Sequence, residues 1–271
     1  MKNRPPLVIT GALGNLGGKL SAALADDHEL RRIDLRADGD CIAADIAEYE
    51  PRWVGLFAGA DTVLHFAGDP RPTAPWASVH RANIVGTSNV LRAAREHGVR
   101  RVVFASTNQV MAGYRFLEGP VTTSMPPTPL NPYAVSKLFG EEAGRSYAAE
   151  TSRSFIALRI GNIMPDANVP HAGMGIGLWG QQMWLSNRDF VDGVRAAIAA
   201  PEARFAIVNL VSRNPGMRWD LTETERVLGF LPRDGFTPDL SPEDLVEDAA
   251  ARQAQLTPGL WLDQRFQPLR G

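Results

Sequence analysis

Cysteine is almost missing from this chain. Cys41 stands alone among 271 residues, so no internal disulfide can form. That usage fits a reducing compartment, and a cytoplasmic protein is expected. No apolar run approaches the roughly 20 residues of a membrane span. Lys2 and Arg4 precede apolar residues, but Leu7 to Thr10 leads straight into glycine and asparagine, unlike the unbroken core of a secretory leader. Lysine is scarce, and basic residues never run longer than two. With a net charge of −2, nothing argues for nucleic acid or an anionic membrane as partner. His28, His80, His97 and His171 show no metal-ligand spacing, and His65 reads as a packed core residue. No metal site is expected. No repeat, low-complexity tract or long linker divides the chain, so one domain over 1–271 is expected.

What is present is concentrated near the start. The stretch LVITGALGNLGGKL, residues 7–20, opens with a short apolar run that reads as a buried parallel strand. Gly11, Gly14 and Gly17 follow, and then Leu16, Leu20, Ala23 and Leu24 recur at helical spacing. Strand, glycine turn and helix start are the parts of a phosphate cradle. The spacing is G-x-x-G-x-x-G rather than the usual dinucleotide fingerprint. Asp34 strengthens the reading, because it ends a second strand-like run 23 residues beyond Gly11. An acid about 20 residues on is what the ribose hydroxyls of NAD require. A 2′-phosphate would be repelled there, with Arg36 the one nearby reservation.

Further strands are predicted at 41–46, 62–66, 102–105, 154–160 and 204–211. Helices are predicted at 53–58, at 78–97 ending on Gly98, and from 132 with Val135, Leu138 and Phe139 facing the core. Ser186-x-x-Asp189 predicts another helix start, 221–228 a short helix, and Ser241-Pro242 a last one. Residues 113–131 read as loop and 161–184 as an irregular substrate loop. The alternation gives an α/β fold: a doubly wound parallel sheet, Rossmann-like, with a small C-terminal substrate-binding subregion after residue 160. Ligands of such sheets sit at the carboxyl ends of the strands, where Asp34, Gly68, Thr107 and Gly161 fall.

Tyr133 and Lys137 lie four apart on a predicted helix and project from one face. An ammonium beside a phenol favours the phenolate, so a lowered Tyr133 pKa is expected. Such a tyrosine can act as a general base, with the Thr107 hydroxyl holding the substrate oxygen.

Taken together, TGALGNLGG at 10–18, Asp34, Asp45-Ile46, HFAG at 65–68, Asn83, FAST at 104–107 and YAVSK at 133–137 resemble the extended short-chain dehydrogenase/reductases of the NAD-dependent epimerase/dehydratase family. Within that superfamily, FASTNQV at 104–110, VSKLFGE at 135–141, RIGN at 159–162, WLSNRDF at 184–190 and RWDLTETERVLGF at 218–230 are similar to uronate dehydrogenases, which oxidise the anomeric carbon of a free hexuronate to a lactone with NAD. The resemblance implies Tyr133 as base, Lys137 on the nicotinamide ribose, Thr107 as the substrate-orienting hydroxyl and Asn83 as a structural and relay residue. It implies NAD contacts from Gly11, Gly14, Asn15, Leu16 and Gly17. It places Asp34 with Leu35 and Arg36 at the adenosine ribose and Asp45-Ile46 at the adenine. Phe66, Ala67, Gly68, Asn83, Tyr133, Lys137 and Ile160 complete the cofactor set. Substrate contacts are expected from Pro70, Thr107, Asn108, Gln109, Tyr133 and Asn162. Trp179 is a further candidate, and it, Trp184, Met174 and Met183 either line the pocket or pack under a loop. The resemblance also implies a homodimer paired through the helices at 78–97 and 132–149.

Two departures bear on the substrate. The family grips the uronate carboxylate with an arginine in the substrate loop, yet no Arg or Lys stands between Ile160 and Asn187. The serine expected after the HFAG-like turn is replaced near Pro70. Arg71, Arg115 and Arg188 remain as candidate grips. Dehydratases on this scaffold carry Asp and Glu where Asn108 and Gln109 stand, and amides do not titrate. An epimerase of the same fold and a non-catalytic NAD-binding regulator are the rival readings.

Overall fold

The computed structural model describes residues 5–171, 174, 176–201 and 203–256. Its centre is one seven-stranded, wholly parallel sheet in the order β3-β2-β1-β4-β5-β6-β7. The strands are β1 (Leu7–Thr10), β2 (Leu30–Asp34), β3 (Ile42–Ala43), β4 (Thr62–His65), β5 (Arg101–Thr107), β6 (Ser154–Ile160) and β7 (Phe205–Leu210). Every residue of β1, β4, β5 and β6 is buried, as uninterrupted apolar runs require when helices cover both faces.

Alternation divides the interior into two cores. Leu7, Ile9, Val103 and Ala105 point to the layer holding α1 (Asn15–Leu24) and α7 (Asn187–Ala199). Val8, Val102 and Phe104 point to the opposite layer, with Trp53, Phe57, Val90 and Tyr147. The strand order reverses between β1 and β4, which opens the crevice at their carboxyl ends.

Several predicted elements change shape. The third strand shrinks from 41–46 to the two residues of β3, an edge position beside the half-buried β2. The segment predicted at 53–58 becomes α2 (Pro51–Val54) followed by a tight turn, Gly55–Phe57. The helix expected at 78–97 begins earlier, as α3 (Trp76–Val79), widens through a π-helical stretch, His80–Val85, and continues as α4 (Gly86–Glu96). The widened turn carries Asn83, and such bulges recur at functional sites. Gly98 closes the helix at φ +68°, as expected.

The helix α5 (Pro132–Thr151) corrects another expectation. Leu138 does pack, against the small core around Val110 and Met111, but Val135 is only half-buried and Phe139 is 37% exposed. The buried face is small and polar over its first three turns, Ala134, Ser136, Lys137, Gly140, Glu141 and Gly144, before Tyr147 and Ala148. Close approach to the sheet explains it. A Cβ on Gly140 would come 2.3 Å from the Phe104 ring, and one on Gly144 would come 2.1 Å from the Phe155 ring.

Residues 161–184 are not wholly irregular, since α6 (Gly177–Gln182) forms there and Asn162 bridges to Trp184. The predicted cap on α7 is present: Ser186 Oγ accepts the Asp189 N–H at 2.9 Å. Two further helices, α8 (Thr222–Leu228) and α9 (Pro242–Leu256), follow as expected. No helix among the described residues is long and apolar enough to cross a membrane.

Candidate active site

A cleft of about 1020 Å³ runs along the carboxyl ends of the strands. At one end is the glycine turn. Gly11 sits at φ +72°, and a Cβ there would meet the Ala67 backbone at 2.7 Å. Gly17 lies against the same turn, where a Cβ would come 2.0 Å from the Gly11 carbonyl oxygen. Gly14 caps α1 without a side chain, so the first-turn N–H groups and the helix dipole offer an anion site at the cleft. Asn15 ties this turn to the chain beyond β6 by donating to the Ile163 carbonyl at 3.1 Å.

Asp34 ends β2 in the cleft. Its carboxylate accepts the Leu13 N–H at 2.9 Å and the Leu35 N–H at 2.8 Å. These bonds fix its oxygens while leaving lone pairs for vicinal hydroxyls. Leu35, Arg36, Asp45 and Ile46 line the same end. Asp45 accepts the Ala47 N–H at 2.9 Å and pairs with Arg81 at 2.8 Å. A thin glycine turn, a free helix N-terminus and a fixed acid one strand away fit a dinucleotide.

At the other end, Thr107 and Tyr133 line the cleft with Gln109, Ile160 and Asn162. Thr107 Oγ1 accepts the Gln109 N–H at 3.2 Å, which leaves the hydroxyl proton to point elsewhere. Asn131 caps α5 by accepting the Ala134 N–H at 2.8 Å, and so sets where Tyr133 begins the helix. Lys137 is buried one turn on, its ammonium 6.0 Å from the Tyr133 ring centroid and 5.0 Å from that of Phe104.

The expected lowering of the Tyr133 pKa is not found. Burial pushes the phenol up; the Thr107 hydroxyl pulls it down, and the charge of Asp69 pushes it up again. Burial also pushes the Lys137 ammonium down to about 8. Desolvation is the largest influence on each of the two groups.

Beneath the cleft, Asn83 acts as a clamp. Its Oδ1 accepts the Asp69 N–H at 2.7 Å, and its Nδ2 donates to the Asp69 carbonyl at 3.1 Å and to Ser136 Oγ at 2.8 Å. Ser136 in turn donates to the Tyr133 carbonyl at 2.7 Å. Gly68, at φ +148°, makes room: a Cβ would come 2.7 Å from Asn83 Oδ1 and 3.6 Å from the Lys137 ammonium.

Most expected site residues therefore share one cleft: Gly11, Gly14, Asn15, Leu16, Gly17, Asp34, Leu35, Arg36, Asp45, Ile46, Phe66, Ala67, Gly68, Pro70, Thr107, Gln109, Tyr133, Ile160 and Asn162. Asn83 and Lys137 lie just behind its wall. Trp179 does not line it; the ring packs on Trp219 at 4.4 Å between centroids, within a small core of its own. Trp184 is also internal, donating its ring N–H to Asn168. Met174 and Met183 do line the cleft. Asn108 is fully buried, off the cleft wall, with neither amide atom bonded among the described residues.

None of the three candidate arginines is a free grip. Arg188 pairs with Asp234, Arg115 with Asp248, and Arg71 with Asp69. His65 is a core bridge, as expected, bonded to Thr10 at 2.7 Å and Thr87 at 2.9 Å. Among the described residues no group of three His, Cys, Asp or Glu is placed to hold a metal.

Three features were missed from sequence. Asp69 directly follows the HFAG turn, so its place at a strand end was a usable signal. Leu13 contributes only a main-chain N–H, which no residue pattern reveals. Glu141 and Arg159 form an ion pair that is 0% and 1% exposed, with Ser106 donating to Glu141 at 2.6 Å. Glu141 lies one turn beyond Lys137, so this pair fixes the active face of α5 to β5 and β6. Its two members sit in the VSKLFGE and RIGN stretches, where only their charge inside apolar surroundings marked them.

Known proteins share this fold. The model of the NAD dependent epimerase/dehydratase family matches residues 7–210. L-arabinose 1-dehydrogenase (NAD(P)(+)) of Haloferax volcanii is 37% identical over 84% of this chain and 96% of that protein. Uronate dehydrogenase of Agrobacterium fabrum is 31% identical over 84% of each chain. A crystal structure of uronate dehydrogenase from Agrobacterium tumefaciens, a mutant complexed with NAD, superposes with a TM-score of 0.73 at 29% identity, covering 93% of this chain and 90% of that one.

Proposed function

Since the chain belongs to the NAD dependent epimerase/dehydratase family, we propose that it oxidises a free sugar or sugar acid, at C1 to a lactone, with Tyr133 as the base. Its cofactor is NAD, held by the glycine turn, Asp34 and the Asp45-Ile46 edge. When bound, NAD supplies the hydride acceptor. Lys137 holds the nicotinamide ribose. Thr107 donates its hydroxyl proton to the substrate oxygen, and Tyr133 takes the proton released as the carbonyl forms. Asn83 and Ser136 keep Tyr133 and the Gly68 turn in register. Gln109 and Asn162 orient the ring hydroxyls.

The observation that carries this reading is the meeting of Thr107 and Tyr133 in one cleft with Asp34 and the glycine turn. Binding without catalysis would not need the Thr107 hydroxyl and the Tyr133 phenol together at the substrate end. We read 1–271 as one domain, with 1–160 mainly for the cofactor, in a cytoplasmic homodimer paired through α4 and α5. The test is absorbance at 340 nm with NAD and a panel of aldoses and uronates. A rise with at least one sugar is expected; no rise with any, from a folded protein that binds NAD, refutes the reading.

A further inference from the structure

Of the residues that line the substrate end of the cleft, Asp69 is the charged one, with the buried Lys137 ammonium just behind the wall. Asp69 lines the cleft, and its side chain is only 8% exposed. Its backbone is locked on both sides by Asn83, at 2.7 and 3.1 Å. Its carboxylate accepts Arg71 Nε at 2.9 Å, Arg71 Nη2 at 2.6 Å and the Ser78 hydroxyl at 2.5 Å. Arg71 is thus engaged by a two-point contact that matches the fork of the guanidinium. Its partner is already inside the protein, and the Arg71 side chain itself is 65% exposed, turned toward solvent.

The other walls at this end are neutral. Thr107, Gln109 and Asn162 are polar and uncharged, and Met174, Ile176 and Met183 are apolar. The chain from Gly161 to Ser186 contains no Lys or Arg at all. Arg81, at the far end of the cleft, pairs with Asp45 and Glu48 at 2.8 Å each. A sugar carboxylate entering here meets a carboxylate already joined to its cation, and no lining cation left to hold it, Lys137 being taken up by the nicotinamide ribose. A sugar hydroxyl meets amide and hydroxyl partners, and an anionic acceptor in Asp69.

We propose that Asp69, by holding Arg71 and facing the cleft, makes the site selective for uncharged aldoses over the corresponding uronates. This rests on the sugar-dehydrogenase reading above and names its substrate class. Asp69 is the specificity-determining residue; removing its charge both relieves the repulsion and releases Arg71.

The test compares kcat/KM for galactose with galacturonate, and glucose with glucuronate, using NAD and the full chain. L-arabinose is included as a neutral sugar without C6. The wild type is expected to favour the neutral member of each pair at least a hundredfold, about 2.7 kcal/mol. Asp69→Asn is expected to narrow that ratio at least tenfold, mainly through a lower KM for the uronate. Arg71→Ala, which removes the paired cation and leaves the carboxylate on the Ser78 hydroxyl and the residue-71 N–H, is expected to widen it. Thermal melts and NAD titration show which variants are folded, and if Asp69→Asn does not fold, Arg71→Ala decides. A wild type that prefers uronates, or a ratio unmoved in folded variants, overturns the proposal. Inactivity toward both sugar classes in an NAD-binding wild type overturns the dehydrogenase reading instead.

Discussion

Three glycines of α1 and its turn provide a graded test of the cradle. A Cβ at Gly17 would sit 2.0 Å from the Gly11 carbonyl oxygen, at Gly14 3.3 Å from the same atom, and at Gly18 4.0 Å from the Ala12 oxygen. Normal contact needs about 3.4 Å, so Gly17→Ala must push the turn back by more than an ångström. Such overpacking costs about 1–3 kcal/mol. The shift displaces the N–H groups that face the pyrophosphate, and a tenfold weaker NAD affinity, about 1.4 kcal/mol, is the least expected. Gly14→Ala leaves the backbone almost unstrained, because Gly14 has φ −73°. Its methyl group instead enters the cleft, so NAD affinity falls while the melting temperature hardly moves. Gly18→Ala meets open contact distance and gains helix propensity of up to about 1 kcal/mol. It should melt slightly higher and bind NAD normally. The assay is thermal unfolding without NAD, paired with calorimetric NAD titration of each variant. Wild-type stability and affinity in Gly17→Ala would refute the packing described for this turn.

Two other outcomes follow from buried charge. Glu141→Gln leaves Arg159 buried without its anion, and should cost about 3–5 kcal/mol in urea unfolding; a loss under 1 kcal/mol would show that the pair does not fix α5. His65 titrates well below its usual range, down to about 3, because burial disfavours its cation and Lys137 repels it. Since the folded pKa is the lower one, the unfolded chain takes the proton first as pH falls below about 6.5. Stability is therefore lost between about 6.5 and 3, by up to about 5 kcal/mol from this group. The His65 ring should stay neutral by NMR down to pH 4, and a midpoint above 6 would contradict the burial account.

Much of the scaffold was legible because its signals are local. Apolar runs without alternation marked β1, β4, β5 and β6, and Ser186 announced α7 through a cap that needs only neighbouring residues. Motifs at strand ends placed Asp34, Gly68, Thr107 and Gly161 on one edge of the sheet. What was not legible depends on distance in space. The inward face of α5 was misread because close packing on Phe104 and Phe155 favours glycine and alanine there, against the usual association of core with large apolar residues. Trp179 was left open between pocket and core, and its partner Trp219 lies 40 residues away. The Tyr133 pKa was expected from one neighbour, while burial, which a sequence does not display, dominates it. The arginines at 71, 115 and 188 were open candidates until their carboxylate partners were seen.

The central claim is that Tyr133 acts as the base of a sugar oxidation in this cleft. The direct measurement is the rate of absorbance increase at 340 nm with NAD and the best sugar, in wild type and in Tyr133→Phe, beside NAD titration of both. The account predicts a fall of at least about a hundredfold in Tyr133→Phe, the scale of general-base catalysis, with NAD affinity nearly unchanged. A wild-type rate in Tyr133→Phe would contradict it.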